Sequence, residues 1–241
     1  TVKAANATGV DVIGDVELFF RERAAVCPGA PVIAITGTNG KSTTTALTAH
    51  VLRKLGCDVE IGGNIGRAVL TLAPFAENRI YVLELSSFQI DLAPSARSTV
   101  AVLLNVSPDH IDRHGTVEHY ADVKRRLVDA AESVAVIGID DPWSADIART
   151  LEARGRKVRR VSVGERVGDG ISASEGKLYD RVPGKKERQV ASLDGIATLR
   201  GRHNWQNAAA SVAAVTALAD DVRGKGDIQA ALRTFAGLAH R

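Results

Sequence analysis

The sequence predicts an α/β protein: a mostly parallel sheet flanked by helices, with a phosphate-binding loop and a small antiparallel β-appendage. Three observations carry this. Runs that are apolar at nearly every position alternate with helix-like stretches, the pattern of a sheet buried on both faces. One of these runs leads through a glycine-rich loop directly into a helix. After Val163 the texture changes to short alternating pieces punctuated by glycine, which is how small antiparallel strands read.

The elements follow in order. Val32–Thr36 (VIAIT) is a buried strand, and Lys41–Leu55 a helix ended by Gly56. Val59–Ile61 is a short strand. Ile80–Leu85 and Val100–Val106 are strands of almost wholly apolar residues. Val117–Ala131 is a helix, Val134–Ile139 a strand, and Pro142–Arg154 a helix with proline in its first turn, where the missing N–H costs nothing. Val158–Val163 is the last strand of the parallel series. Residues 168–194 supply the appendage, and Asn204–Ala219 and Asp227–Phe235 close the chain as helices.

Composition narrows the function. The chain has 241 residues, 45% hydrophobic and 24% charged, enough for a substantial core. A net charge of +3, with only short basic runs at 156–160 and 185–188, and an aromatic content of 4% argue against a nucleic-acid partner. The longest apolar stretch, Ala208–Ala219, is too short for a bilayer, so no membrane partner is expected. Two cysteines, Cys27 and Cys57, outside any paired motif fit a reducing compartment; the cytoplasm is the expected location.

The chemistry starts at residues 35–43, Ile-Thr-Gly-Thr-Asn-Gly-Lys-Ser-Thr. Gly37 and Gly40 let the backbone approach phosphate oxygens, and the helix that follows offers free N–H groups and the positive end of its dipole. Lys41 reaches toward outer phosphates and Ser42 toward Mg²⁺. Ile35 stands where the usual spacing has a glycine, so this is a variant loop.

Other candidates lie on the same predicted sheet edge. Glu84 ends a buried strand, where ligands bind in open α/β sheets; it is either an oxygen ligand for a hard cation or a solvated strand end. His110, with Asp109 beside it, follows the strand ending at Val106; a loop histidine is otherwise often structural. Lys124 shares a helical stripe with Tyr120, Leu127 and Ala131, so it faces inward. Burial lowers a lysine pKa, and a neutral amine reacts with CO₂ to give an anionic carbamate; the plainer alternative is a lysine extending along the stripe's edge. Asn204 and Asn207 share one face of a helix start, placed either to pair with an adenine edge or, for Asn204, to cap the helix.

TGTNGKST resembles the loop of the Mur ligases and the folylpolyglutamate synthetases. GGNIG (62–66), ELSSFQ (84–89), NVSPDHIDRHG (105–115), YADVK (120–124), GRHNWQN (201–207) and GLAHR (237–241) match that superfamily in order. ELSSFQ and GGNIG look most like its D-glutamate-adding branch. The resemblance implies an ATP-dependent ligase of peptidoglycan synthesis. It would join D-glutamate to UDP-N-acetylmuramoyl-L-alanine through an acyl phosphate, as a monomer with small-molecule substrates. It implies that Gly37, Thr38, Asn39, Gly40, Lys41, Ser42 and Thr43 hold ATP. Asn204, Asn207 and Arg241 would contact its nucleoside end. Mg²⁺ would occupy two sites, with Ser42 and Glu84 at one and His110 and carbamylated Lys124 at the other. Lys41, Glu84, His110 and Lys124 would form the catalytic set. Asn64 and His110 would meet the acceptor substrate, Asp109 would support His110, and Ser86, Ser87 and Gln89 would shape the site. The resemblance also divides the chain. Residues 1–30 end a UDP-binding domain and its linker, 31–236 form the central ATP-binding domain, and 237–241 begin a further domain. Such a fragment is expected to be inactive alone. Another ligase of the family, a nucleotide-dependent switch and an inactive binding module are the competing readings.

Overall fold

In the computed structural model, which describes residues 8–218 and 226–238, a nine-stranded sheet runs through the molecule. The strands are β1 (Val32–Thr36), β2 (Asp58–Gly63), β3 (Arg79–Glu84), β4 (Val100–Leu103), β5 (Val134–Gly138), β6 (Val158–Ser162), β7 (Gly170–Ser174), β8 (Lys177–Arg181) and β9 (Arg188–Ser192). Their order is β2-β3-β1-β4-β5-β6-β7-β8-β9. Every pairing from β2 through β7 is parallel, as the doubly apolar runs predict. β7–β8 and β8–β9 are antiparallel. The antiparallel part is therefore present, but it is not set apart from the main sheet: β7 pairs in parallel with β6 through Arg160–Ser162 and continues it.

Among the described residues the α-helices are α1 (Asp15–Val26), α2 (Lys41–Lys54), α3 (Ser87–Asp91), α4 (Ile111–His114), α5 (Val117–Asp129), α6 (Pro142–Ala153), α7 (Arg202–Ala217) and α8 (Ile228–Arg233). Strand alternation divides the core into two layers. Ile33 and Ile35 of β1 face one side, packed with Leu47 and Val51 of α2 and the alanine-rich α7. Val32 and Ala34 face the other, with α1, α5 and α6. Both layers exclude water almost completely, as a two-faced sheet requires.

α1 falls in the stretch read as a linker. Its Val16, Phe19 and Phe20 are buried in the second layer, with Phe19 edge-on to Tyr81 of β3 at 5.7 Å. Two charged side chains go inward with it. Glu17 accepts from Ser95 N and Oγ at 2.9 and 2.7 Å. Arg23 forks onto Glu132 at 3.0 and 2.8 Å, so neither is left unpaired.

The alanines of α7 let its backbone approach α2. At that contact Thr48 Oγ1 donates to Ser211 Oγ at 3.1 Å, and Thr44 Oγ1 donates to Asn207 Oδ1 at 3.2 Å. This packing fixes the start of α7 beside the start of α2, at the carboxyl end of β1. No helix among the described residues is long and apolar enough to cross a membrane.

Candidate active site

The loop between β1 and α2 is held from several sides. Gly40 caps α2 in the left-handed region, φ +85°, and a Cβ there would overlap Asn207 Oδ1; only glycine fits. A Cβ on Gly37 would stand 2.9 Å from Leu104 Cβ. Thr38 N donates to Asn105 O at 2.9 Å, and Asn39 N donates to Asn105 Oδ1 at 2.9 Å. Asn105 Nδ2 in turn donates to Gln206 Oε1 at 3.2 Å. Thus β4's end and the start of α7 set the loop's shape. Asn105 and Gln206 lie within the quoted motifs but carry no role that spacing alone reveals.

Lys41 folds back over the loop, donating to the carbonyls of Gly37 and Thr38 at 3.0 and 2.9 Å. Ser42 and Thr43 lie in the first turn of α2, where the helix's free N–H groups are. No side chain caps that end.

Glu84 ends β3, paired beside Ile35, and is 2% exposed. It is not a solvated strand end. Asn64 Nδ2 donates to Glu84 Oε1 at 3.0 Å, which brings two predicted residues together. Glu84 Oε2 is buried with no hydrogen-bond partner. A buried carboxylate oxygen without a donor is costly, and a hard cation satisfies it.

Lys124 is 1% exposed, on the predicted inward stripe of α5 with Tyr120 and Leu127; the helix ends at Asp129, and Ala131, just past it, is buried as well. Its ammonium does not extend to solvent. Nζ donates to Thr36 Oγ1 at 3.2 Å and Gly37 O at 3.1 Å, and lies 4.6 Å from the Tyr120 ring centroid. No carboxylate among the described residues is in ion-pair range of it. Burial, reinforced by the charge of Lys41 and opposed by Asp109, pushes this amine from 10.5 down to about 7.

His110 opens α4 at a left-handed φ of +51°, a conformation uncommon for residues other than glycine. It is exposed, 3.6 Å from Asp109 Oδ2 and edge-on to Phe88 at 5.1 Å. Tyr120 OH lies 3.2 Å from Thr38 Oγ1, tying α5 to the phosphate loop.

The donor set fits magnesium. Among the described residues no three His, Cys, Asp or Glu side chains form a ready metal cage. The candidate ligands are instead a hydroxyl, one orphaned carboxylate, an exposed imidazole and a lysine whose amine is poised to lose its proton. That set leaves coordination positions for phosphate oxygens and water, the usual ligands of Mg²⁺ at phosphoryl sites.

Asn204 does not cap α7. The helix begins at Arg202 after Gly201, so Asn204 is its third residue. Its Nδ2 donates to Arg200 O at 3.0 Å, while Asn207 Nδ2 donates to Asn204 Oδ1 at 3.3 Å. Asn207 is buried against Gly40 and Thr44 and braces the loop. Beyond them, a cavity of about 690 Å³ opens from Asn39 past Asn105 to His203 and Gln206, within the range of small-molecule sites. Ser86 caps α3 reciprocally with Gln89. Arg241 lies outside the described residues.

Comparison with known proteins places the chain in a family. Residues 35–215 match the Mur ligase middle domain. The chain is 54% identical to the UDP-N-acetylmuramoylalanine--D-glutamate ligase of Nitrobacter hamburgensis, over 100% of its own length and 51% of that protein. It is 56% identical to the protein of the same name from Rhizobium etli, over 100% of its length and 50% of that protein. The chain thus spans about half the length of the curated relatives it matches. In fold it resembles the UDP-N-acetylmuramate:L-alanyl-gamma-D-glutamyl-meso-diaminopimelate ligase of Neisseria meningitides, with TM-score 0.67, 20% identity, and coverage of 99% of this chain and 75% of that one. It also resembles E. coli FolC in complex with DHPP and ADP, with TM-score 0.66, 18% identity, and coverage of 96% and 63%. With the middle-domain match spanning the loop, Glu84, His110, Lys124 and most of α7, this chain belongs to the Mur ligase family of ATP-dependent ligases.

Proposed function

We propose that this chain is the ATP-binding part of a D-glutamate-adding ligase of peptidoglycan synthesis. The observation that carries the reading is the pairing at one sheet edge of a phosphate loop with two buried groups: Glu84, with an unpartnered oxygen, and Lys124, 1% exposed with its amine on the neutral acceptors Thr36 Oγ1 and Gly37 O, where burial pushes it down to about 7. A nucleotide switch has use for the loop and one metal, and none for a second buried, carbamate-forming site.

In this reading the loop amides and Lys41 bind the outer phosphates of ATP and stabilise charge on the transferring group. Ser42 and Glu84 would hold one Mg²⁺, and His110 with carbamylated Lys124 a second; bound Mg²⁺ offsets the negative charge of the triphosphate. The Lys124 nitrogen adds to the carbon of CO₂ and releases a proton to solvent, so the modified side chain offers an anionic oxygen. Asn64, fixed by Glu84, and His110 orient the acceptor, UDP-N-acetylmuramoyl-L-alanine. Its alanyl carboxylate attacks the γ-phosphorus, the bond to the β-phosphate bridge breaks, and ADP leaves. The D-glutamate amine then attacks the acyl phosphate, loses a proton and expels phosphate, giving an amide. The protein mainly positions the reactants. Asn204 and Asn207 would face the adenine, and Arg241 the nucleotide.

Residues 1–30 would close a UDP-binding domain, 31–236 form the ATP-binding domain and 237–241 open a further one. We place the protein in the cytoplasm as a monomer. The test is an assay of the full-length ligase with ATP, UDP-N-acetylmuramoyl-L-alanine and alternative amino acids. The expected result is amide with D-glutamate and equimolar ADP, at ~1–10³ s⁻¹, and little or none from the 241-residue chain alone. Amide with a different amino acid or a folate would assign another ligase, and ATP hydrolysis without amide would favour the switch.

A further inference from the structure

His114 carries no role in the reading above, yet it is 6% exposed and sits where three segments of the site meet. Its Nε2 lies 2.9 Å from Ser87 Oγ in a buried contact. Ser87, itself 2% exposed, is the first residue of α3, on the segment that follows Glu84 out of β3. His114 ends α4, and its backbone N donates to His110 O at 3.0 Å, closing the single turn that His110 opens. Its ring packs on Tyr120 at 5.3 Å and Phe88 at 5.7 Å. Tyr120 in turn reaches Thr38 of the loop and lies under Lys124 Nζ.

Glu84, His110 and Lys124 therefore sit on three different segments; His114 shares the α4 turn with His110, bonds to α3 three residues beyond Glu84, and packs on Tyr120 of the Lys124 helix. A four-residue helix cannot hold its own geometry, because helix nucleation fixes several residues for one hydrogen bond. His110 is also in a left-handed conformation that needs support from its surroundings. The buried imidazole supplies that support. It has the two features required of such a brace: a hydrogen bond into the Glu84 segment and ring packing against the Lys124 helix.

We infer that the buried His114–Ser87 pair is a positioning device that fixes His110 relative to Glu84 and Lys124. It touches neither nucleotide nor acceptor. The inference rests on the ligase reading and concerns residues outside the phosphate loop, so its loss should affect turnover more than ATP capture. Supporting hydrogen bonds behind metal ligands are worth about 10–100-fold.

The test uses the full-length ligase with His114→Phe, His114→Gln, Ser87→Ala and the His114→Phe/Ser87→Ala double variant. It reads kcat, KM for ATP, thermal midpoint, and the calorimetric affinity of a non-hydrolysable ATP analogue with and without Mg²⁺. His114→Phe and Ser87→Ala should each lower kcat ~10–100-fold with KM for ATP within about 3-fold of the unmutated value. The affinity gain on adding Mg²⁺ should shrink in both, and Mg²⁺-free binding should not. The double variant should be no worse than the weaker single one, because the two act as a unit. His114→Gln, whose amide reaches Ser87, should recover most of the loss. Unchanged kcat and Mg²⁺ response in both single variants would overturn the inference. So would losses that multiply in the double variant, or a defect that follows the thermal midpoint and is not recovered by glutamine. If His114→Phe does not fold, Ser87→Ala and His114→Gln decide on the same readouts. If the unmutated enzyme forms no amide, the ligase reading fails, and the Mg²⁺-dependent part of analogue binding still decides the role of His114.

Discussion

Replacing Lys124 with methionine is expected to do two opposite things: lower amide formation by the full-length ligase at least ~10³-fold, and stabilise the unliganded protein. The first follows from removing the amine proposed to become the anionic carbamate. The second follows from burial. The ammonium gives two hydrogen bonds to neutral acceptors in exchange for its hydration, and its pKa falls from 10.5 to about 7. That difference is on the order of 5 kcal/mol against the charged form. Methionine forfeits the hydrogen bonds and the contact with the Tyr120 ring, which leaves a net gain of about 1–3 kcal/mol.

The pH dependence has a definite sign. Below pH 7 both folded and unfolded lysine hold the proton, and the full penalty is present. Between about 7 and 10.5 the unfolded chain binds more protons, so stability of the lysine protein rises with pH. The advantage of methionine is therefore largest below pH 7 and fades toward 10.5. Thermal melts of the 241-residue chain in CO₂-free buffer at several pH values check this. A methionine variant that is less stable at every pH would contradict the account. Bicarbonate should shift the lysine protein toward the modified form above about pH 7, seen as electron density beyond Nζ.

Glu84→Gln should raise the Mg²⁺ concentration for half-maximal activity at least about 10-fold and lower kcat about 10²–10³-fold. The substitution separates charge from shape. The glutamine carbonyl still accepts from Asn64 Nδ2, so the local geometry that depends on Oε1 survives. What is lost is the anionic oxygen that now has no protein donor. The thermal midpoint should hold or rise, since a buried charge has been removed. Activity measured against Mg²⁺ concentration, with melts alongside, checks both parts. An unchanged Mg²⁺ dependence would leave Glu84 a structural residue.

Much of this was legible in the sequence, and the exceptions have physical causes. The parallel strands declared themselves because both faces are buried, leaving runs such as VIAIT without polar interruptions. Lys124 was legible because the stripe of α5 is strongly amphipathic, so one charged residue within it stands out. α1 was missed because its buried face includes Glu17 and Arg23, whose partners Ser95 and Glu132 are distant in sequence. α3 and α4 span five and four residues, too short for periodicity to register. The parallel pairing of β7 with β6 depends on a connection that local pattern does not encode. His114 looked like one more polar residue in DHIDRHG, since only the docking of α3 and α5 buries it. Asn207 was readable as an amide near a helix start; that it braces Gly40 needed the packing of α7 on α2.

The β1–α2 loop is expected to hold ATP through its phosphates together with Mg²⁺. Calorimetric titration of the chain with a non-hydrolysable ATP analogue, with and without Mg²⁺, alongside Lys41→Ala, tests it most directly. The expected result is binding that Mg²⁺ strengthens and that Lys41→Ala weakens about 10²-fold or more. Binding by Lys41→Ala equal to that of the unmutated chain, with no response to Mg²⁺, would contradict it.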